Sequence, residues 1–248
     1  EFAMRYGNPS IRSGLEALKQ RGVTDLLLLP MFPHYAQATT ESSLKHAHLQ
    51  LKAMNWSPNL LEMGHFETAE EFIGPLSESI RPHLTEDTHL LFSYHGLPVS
   101  HVKRIDRSKA HCQTVEACCT VKCEANSLCY GRHCNETTMA VVERLGLKPD
   151  QWSLSYQSRL GPVKWLEPST TQMVEALVKK GVKKLAIVAP AFLADGLETL
   201  EELDIGIREE FMEHGGTELK VINCLNDDEQ WVRGLEQLIA KEFEQAVA

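Results

Sequence analysis

Two stretches of this chain carry one pattern at a constant spacing of 159 residues, and that spacing restricts the fold more than any other feature. Pro9-Ser10 recurs as Pro168-Ser169, Glu16-Ala17-Leu18 as Glu175-Ala176-Leu177, Arg21-Gly22-Val23 as Lys180-Gly181-Val182, and Leu26 as Leu185. After one extra residue, Pro30 and Phe32 fall near Pro190 and Phe192. Each copy reads as a helix with a Ser/Pro start and a glycine stop, followed by a buried strand ending in a Pro- and aromatic-containing loop. Any two αβ units share composition, but about ten coincident positions in one frame point to duplication. The expected architecture is α/β: two similar half-domains with parallel sheets flanked by helices, each offering a strand-end loop to a shared cleft.

The periodicity predicts helices over 9–21, 40–53, 66–84, 135–145, 169–180, 196–213 and 227–245, and strands over 24–30, 88–94, 152–157, 184–190 and 218–223. The expected division is an N-terminal half over 1–87, a C-terminal half over 88–226 with a Cys-rich insert at 108–135, and a terminal helix over 227–248. Glu1-Phe2-Ala3-Met4-Arg5-Tyr6 reads as the end of a strand, so earlier elements are expected upstream.

A net charge of −9 argues against a nucleic-acid partner, which would want a basic stripe. The longest apolar runs, Leu26–Leu29 and Leu185–Ala194, are too short to span a bilayer, and no signal peptide opens the chain. The cytoplasm is the default compartment, with peripheral contact to a membrane surface left open, and the expected state is monomer or homodimer. No G-x-G-x-x-G or phosphate-loop motif supports a nucleotide-binding reading.

Two places carry chemistry. His95-Gly96-Leu97-Pro98 closes the apolar strand Leu90-Leu91-Phe92-Ser93-Tyr94, which places an imidazole where α/β sheets bind ligands. A lone strand-end histidine is more often a satisfied loop residue. Far along the chain, Asp195, Glu198, Glu202 and Glu209 follow the repeated strand at helical spacings that line carboxylates along one face. An acid-rich helix start is usually a solvated face with an N-cap Asp. The repeat changes both readings, because it brings the two places to the same sheet edge. A neutral imidazole and carboxylates on one cleft suit proton abstraction and the handling of a divalent cation.

The motifs FSYHGLP (Phe92–Pro98), YQSRLGPVKWLEP (Tyr156–Pro168) and AFLADGLETLEELD (Ala191–Asp204) resemble those of ferrochelatases, as do MRYGNP (Met4–Pro9) and PMFPHYAQATTESS (Pro30–Ser43). The resemblance implies two Rossmann-like halves around a porphyrin cleft and the insertion of Fe²⁺ into a porphyrin, protoporphyrin IX foremost, to make haem. It assigns His95 and Glu198 as the catalytic, metal-handling pair, and Arg5, Tyr6, Trp165 and Phe192 as pocket-lining residues. The chemistry requires such types: two inward pyrrole N–H protons need acceptors, and an apolar clamp must bend the flat ring. The family's N-terminal segment, which supplies part of the pocket, is missing from this stretch. The animal-type cluster is excluded, since Gln37 stands where those members carry a cluster cysteine.

Six of seven cysteines fall between Cys112 and Cys134, a density that favours metal over disulfides in a cytoplasmic chain. No C-x₂-C pair supports a zinc ribbon. The insert resembles that of some bacterial ferrochelatases, which implies a [2Fe-2S] cluster on Cys112, Cys119, Cys129 and Cys134. Adjacent Cys118 and Cys119 rarely both serve one small cluster, so one is spare, and the place of Cys123 stays open. Cys224 is expected in the core of a strand. Competing readings are a cobalt chelatase for a precorrin-type tetrapyrrole and a non-catalytic iron–sulfur regulatory module.

Overall fold

The repeat is written directly into the backbone. The structure, a computed structural model, describes residues 1–247. Helix α1 (Ile11–Gln20) and helix α6 (Thr170–Lys179) start at Ser10 and Ser169, whose hydroxyls accept the amides of Ser13 and Gln172. Both helices hand over to a left-handed glycine, Gly22 at φ +73° and Gly181 at φ +92°, a conformation glycine adopts without a Cβ penalty. Strands β1 (Asp25–Leu28) and β5 (Lys184–Val188) follow.

The offset extends beyond the stretch legible in the sequence. Strand β2 (Asn59–Glu62), which the sequence reading leaves in a loop, pairs in parallel with β1, Asp25 opposite Asn59. Strand β6 (Glu218–Val221) pairs with β5 in the same register, Lys184 opposite Glu218. A π-helical turn precedes the connecting helix in both copies: Gln37–Glu41 before α2 (Ser42–Ala53), and Glu198–Ile207 before α7 (Arg208–Glu213).

The second copy is inserted into a larger sheet. Strands β3 (Thr88–His95) and β4 (Trp152–Gln157) join β5 and β6 in a parallel sheet of order β4-β3-β5-β6. Parallel strands buried on both faces read as unbroken apolar runs, and residues 89–94 of β3 are all buried. Leu90, Phe92 and Tyr94 face α3 (Glu70–Ile80), α5 (Tyr130–Leu145) and α8 (Glu229–Val247), in a cluster with Phe72, Val141 and Trp231. Leu91 faces the other way, among Val174, Leu177 and Phe211. Helix α8 packs along α3 and reaches β1 and β2, so one apolar core runs from the first sheet to the second. No described helix is long and apolar enough to cross a membrane.

Two expectations change here. Helix α5 starts at Tyr130 rather than 135, which puts Cys134 inside a helix. Cys224 lies beyond the end of β6, half-buried, and its amide donates to Asp195 Oδ1 at 3.1 Å.

Candidate active site

His95 ends β3, half-buried, and its Nδ1 lies 2.7 Å from the carbonyl oxygen of Gly96. A carbonyl only accepts, so Nδ1 carries a proton, and in the neutral ring Nε2 is the nitrogen with the lone pair. The backbone around it is pinned from two sides: Tyr130 Oη donates to His95 O at 2.8 Å, and Gly96 N donates to Gln157 O at 2.8 Å. A Cβ on Gly96 would lie 2.8 Å from that same carbonyl and 3.2 Å from Trp165 Cε3, so the close approach requires glycine. Trp165 is held by its Nε1–H on Leu160 O (3.0 Å) and by a bridge to Pro98. Phe192 lies edge-on to the His95 ring at a centroid distance of 6.1 Å.

Glu198 opens the second π-helical turn, half-buried, and its carbonyl accepts from Gln157 Nε2 at 3.2 Å. The structure thus gathers His95, Trp165, Phe192 and Glu198 at the carboxyl ends of β3, β4 and β5. The carboxylate row is altered. Asp195 is consumed as a loop anchor, accepting from Thr199 Oγ1, Cys224 N and Asn226 Nδ2, with its carboxyl held low against burial by Asn226 and these other donors. The i→i+5 bonding of residues 198–207 widens each turn, so the 3.6-residue phasing that aligned Glu198, Glu202 and Glu209 does not hold through the segment. Glu202 still turns to the strand ends, accepting from Ser158 Oγ at 2.5 Å.

Arg5 and Tyr6 occupy a second place. The Arg5 guanidinium stacks 4.5 Å over the Tyr6 ring and its Nε donates to Ser42 Oγ at 2.9 Å. Arg5 lines a groove with Glu41, Lys45, His46 and Arg104, between α2 and α4 (Val99–Ile105), the helix that leaves the His95 loop. Tyr6 is 74% exposed.

The ferrochelatase family pattern matches residues 1–243. A ferrochelatase of Bdellovibrio bacteriovorus is 41% identical over 241 residues, covering 96% of this chain and 71% of its own length. One of Pseudomonas syringae is 40% identical over 239 residues, covering 96% and 70%. The chain belongs to the ferrochelatase family. It is a metal-insertion enzyme of haem synthesis, with porphyrin and ferrous iron as substrates. In backbone it is similar to SirB from Bacillus subtilis with Fe³⁺, at TM-score 0.66, 11% identity and coverage of 98% of this chain and 81% of that one. The sirohydrochlorin chelatase SirB from Bacillus subtilis subspecies spizizenii in complex with cobalt gives TM-score 0.59 at 9% identity, covering 94% and 75%. That likeness is one of fold, a chelatase-like α/β architecture.

Within this ferrochelatase the insert is scaffolded by its own polar groups. Asp106 accepts the amides of Ser108, His111 and Cys112 and the Ser108 hydroxyl, and these bonds, the hydroxyl foremost, hold its carboxyl well below the usual range. Asn126 donates to Cys118 O and Val121 O and accepts from Cys123 N. The thiols meet around this frame. Cys118 and Cys119 Sγ are 3.8 Å apart, and Cys129 is a near neighbour of Cys119. Cys129 stands at the start of α5, where the neighbouring Cys119 thiol and the amides of Arg132 and Gly131 lower its thiol against the opposing effect of burial. Burial pushes the Cys112 thiol up to about 11, with Cys129 and Cys118 nearby. Cys134 is fully buried beside Tyr130 and Tyr94, and Cys123 lies 3.7 Å from the His111 ring. All six thiols of the insert are free, and among the described residues no three of them bring their sulfurs within 4.8 Å of one another.

One polar cluster escaped the sequence reading. His65, Glu67 and His133 bring ligand atoms within 4.8 Å of one another, the composition of a two-His, one-carboxylate metal site. The hydrogen bonds favour another role. Tyr35 N donates to His133 Nδ1 (3.2 Å) and His133 Nε2 faces Ser127 O (2.9 Å), so Nε2 is protonated and neither ring nitrogen is left for a metal. Glu67 accepts from His65 Nδ1 at 2.6 Å, and its carbonyl accepts from Thr137, which receives His34 Nε2. This network clamps the β2–α3 loop to α5. Separate residues scattered over 34–137 give no local motif to reveal it.

Proposed function

We propose that His95 and Glu198 accept the two pyrrole protons and escort Fe²⁺ during insertion, with Trp165 and Phe192 as apolar walls for the ring. The observation that carries this is the His95 tautomer. With Nδ1–H donated to Gly96 O, Nε2 retains its lone pair as proton acceptor or metal ligand. The balance is simple: one porphyrin loses two N–H protons, one Fe²⁺ enters, and no electron is transferred. Glu198 supplies the second acceptor, and Glu202 and Ser158 give departing protons a polar exit. Arg5 and Arg104, in a groove where Lys45 is paired with Glu41, suit a porphyrin carboxylate, and the exposed apolar residues Tyr6, Leu160, Val163 and Leu197 suit the ring edge or a membrane surface. A cobalt chelatase is the competing reading, favoured only by fold-level likeness.

His95→Ala in the full-length enzyme is expected to abolish metal insertion while leaving the fold intact. Retention of more than about a tenth of wild-type turnover, under ~1.4 kcal/mol of barrier, would sink the assignment. Preference for Co²⁺ and a precorrin-type ring in competition assays would support the alternative.

For the insert, we propose that Cys112, Cys119, Cys129 and Cys134 hold a [2Fe-2S] cluster. Such a group supplies a redox-responsive cross-link when bound. Iron and sulfide counts with an absorption spectrum of anaerobically purified protein test this. Cys129→Ser and Cys134→Ser are each expected to remove the colour, and Cys118→Ser, Cys119→Ser and Cys123→Ser compared decide the second ligand. A colourless protein holding one zinc per chain would overturn it.

A further inference from the structure

Gln157 bonds to Glu198 through its side chain and to Gly96, the residue after His95, through its backbone. It is the last residue of β4, in register with His95, and 5% exposed. Its carbonyl accepts Gly96 N at 2.8 Å, fixing the peptide that holds the His95 imidazole. Its side-chain Nε2 donates to Glu198 O at 3.2 Å. Because a backbone carbonyl cannot donate, the amide orientation is determined, and Oε1 must face Ser93 Oγ, which donates at 2.8 Å. Ser93 in turn meets Thr170 Oγ1 at 2.8 Å, and Thr170 meets Ser155 Oγ at 3.0 Å. The amide is thus locked on one side by a buried hydroxyl network and on the other by the opening of the π-helical turn.

We propose that Gln157 is a positioning residue that sets the separation of His95 from Glu198 across the porphyrin centre. The proposal rests on the reading that these two residues carry the chemistry. Glu198 opens an i→i+5 turn whose first carbonyls have no intrahelical reason to point at β4. The Gln157 amide ties one of them to the strand that also holds Gly96. Metal insertion needs both acceptors at fixed places over one ring, and a misplacement of about 1 Å can cost on the order of a hundredfold in rate. The Gly96 bond is a backbone one that any residue at 157 would make; what the glutamine side chain adds is the bond from that strand to Glu198 O.

Two substitutions test this in the full-length enzyme. Gln157→Met keeps length and volume but removes both side-chain bonds. It is expected to lower kcat about 10- to 100-fold with the porphyrin KM within about twofold and the melting temperature little changed. Gln157→Glu has a proton-dependent donor: the neutral acid can donate to Glu198 O, whereas the carboxylate is repelled by it. The ratio of its kcat to wild type is therefore expected to climb as pH falls, while the Gln157→Met ratio stays flat. A Gln157→Met kcat within twofold of wild type, or a Gln157→Glu ratio independent of pH, overturns the proposal. So does a loss of kcat, KM and stability together, which marks a structural role only. If Gln157→Met fails to fold, the Gln157→Glu pH ratio decides alone. Failure of the underlying reading looks different, since His95→Ala and Glu198→Gln would then both retain turnover.

Discussion

The two copies of the repeat share a frame and differ in their company. Leu15, Leu18, Leu26, Leu28 and Leu60 of the first copy match Val174, Leu177, Leu185, Ile187 and Leu219 of the second, all packed inside their own unit. In the second, β5 lies between β3 and β6, so Ile187 is fully buried; in the first, β1 pairs with β2 and Leu28 is only partly covered. Identical local structure therefore yields unequal burial, and an isolated two-stranded unit would be marginal without α8 and α3 against it. The chemistry differs too. The first π-helical turn opens with Gln37 and hydroxyl residues, the second with Glu198 and further acids. With His95 and Glu198 as the proposed pair, the chemistry is grafted onto one copy of a common scaffold.

The largest effect expected from breaking this comparison is on turnover. Glu198→Ala should lower kcat at least about a hundredfold, whereas Gln37→Ala, at the opening of the equivalent turn, should keep it within about threefold. Steady-state assays with Fe²⁺ and porphyrin check both. Equal losses would show that the two copies share the chemistry.

Much of this contrast was readable beforehand, and the exceptions have physical causes. Strand 152–157 and the helix starts at Ser10 and Ser169 follow from patterning and caps. Asn59–Glu62 was missed because two leucines in four residues carry no period, although the repeat offset from 218–221 would have found it. The π-helical turns were missed because a spacing rule built on 3.6 residues cannot report i→i+5 bonding. His95 and Glu198 were visible as strand-end and acid-rich motifs. Gln157 and Tyr130 were not, because their roles come from the β3–β4 register and from where α5 docks.

A smaller but still large effect concerns the cores. Ile187→Ala should cost about 3–4 kcal/mol, since a fully buried side chain loses transfer energy and leaves a cavity. Leu28→Ala should cost about 1–1.5 kcal/mol, because its neighbourhood is already partly open to water. Denaturant titration of both variants measures the difference. Equal losses would mean that the two sheets are equally enclosed.

The loops after β1 and β5 differ in their response to acid. His34, after β1, is fully buried among Phe72, Tyr94 and Tyr130, and burial lowers it to about 3. The loop after β5 has no histidine. Below about pH 6.5 the unfolded chain binds a proton that folded His34 refuses, so its contribution to stability falls progressively between about pH 6.5 and pH 3. His34→Leu should flatten part of that acid limb in a series of melting curves. An unchanged slope would show that other groups dominate it.

The smallest effect separates the two helix starts. Both caps use a serine hydroxyl, but only Ser169 forms the reciprocal box: Gln172 N donates to Ser169 Oγ at 3.2 Å and Ser169 N donates to Gln172 Oε1 at 3.1 Å. At Ser10 the hydroxyl accepts Ser13 N at 3.1 Å, and the Ser13 side chain turns to Ser10 O instead of returning to an amide. Removing the Ser169 hydroxyl frees one amide and releases the partner that satisfies another, so Ser169→Ala should cost about 1–1.5 kcal/mol. Ser10→Ala loses the acceptor of the Ser13 amide and a 3.2 Å hydroxyl bond to Ser13 Oγ at an exposed end, with no returning bond to an amide, about 0.5–1 kcal/mol. Gln172→Ala should erase most of the difference and leave Ser10 unaffected, because the second bond of the box belongs to Gln172. If the two serine variants lose equal stability while Gln172→Ala costs nothing, the caps are energetically the same, and the asymmetry between the copies lies wholly in burial and in the acids of the second turn.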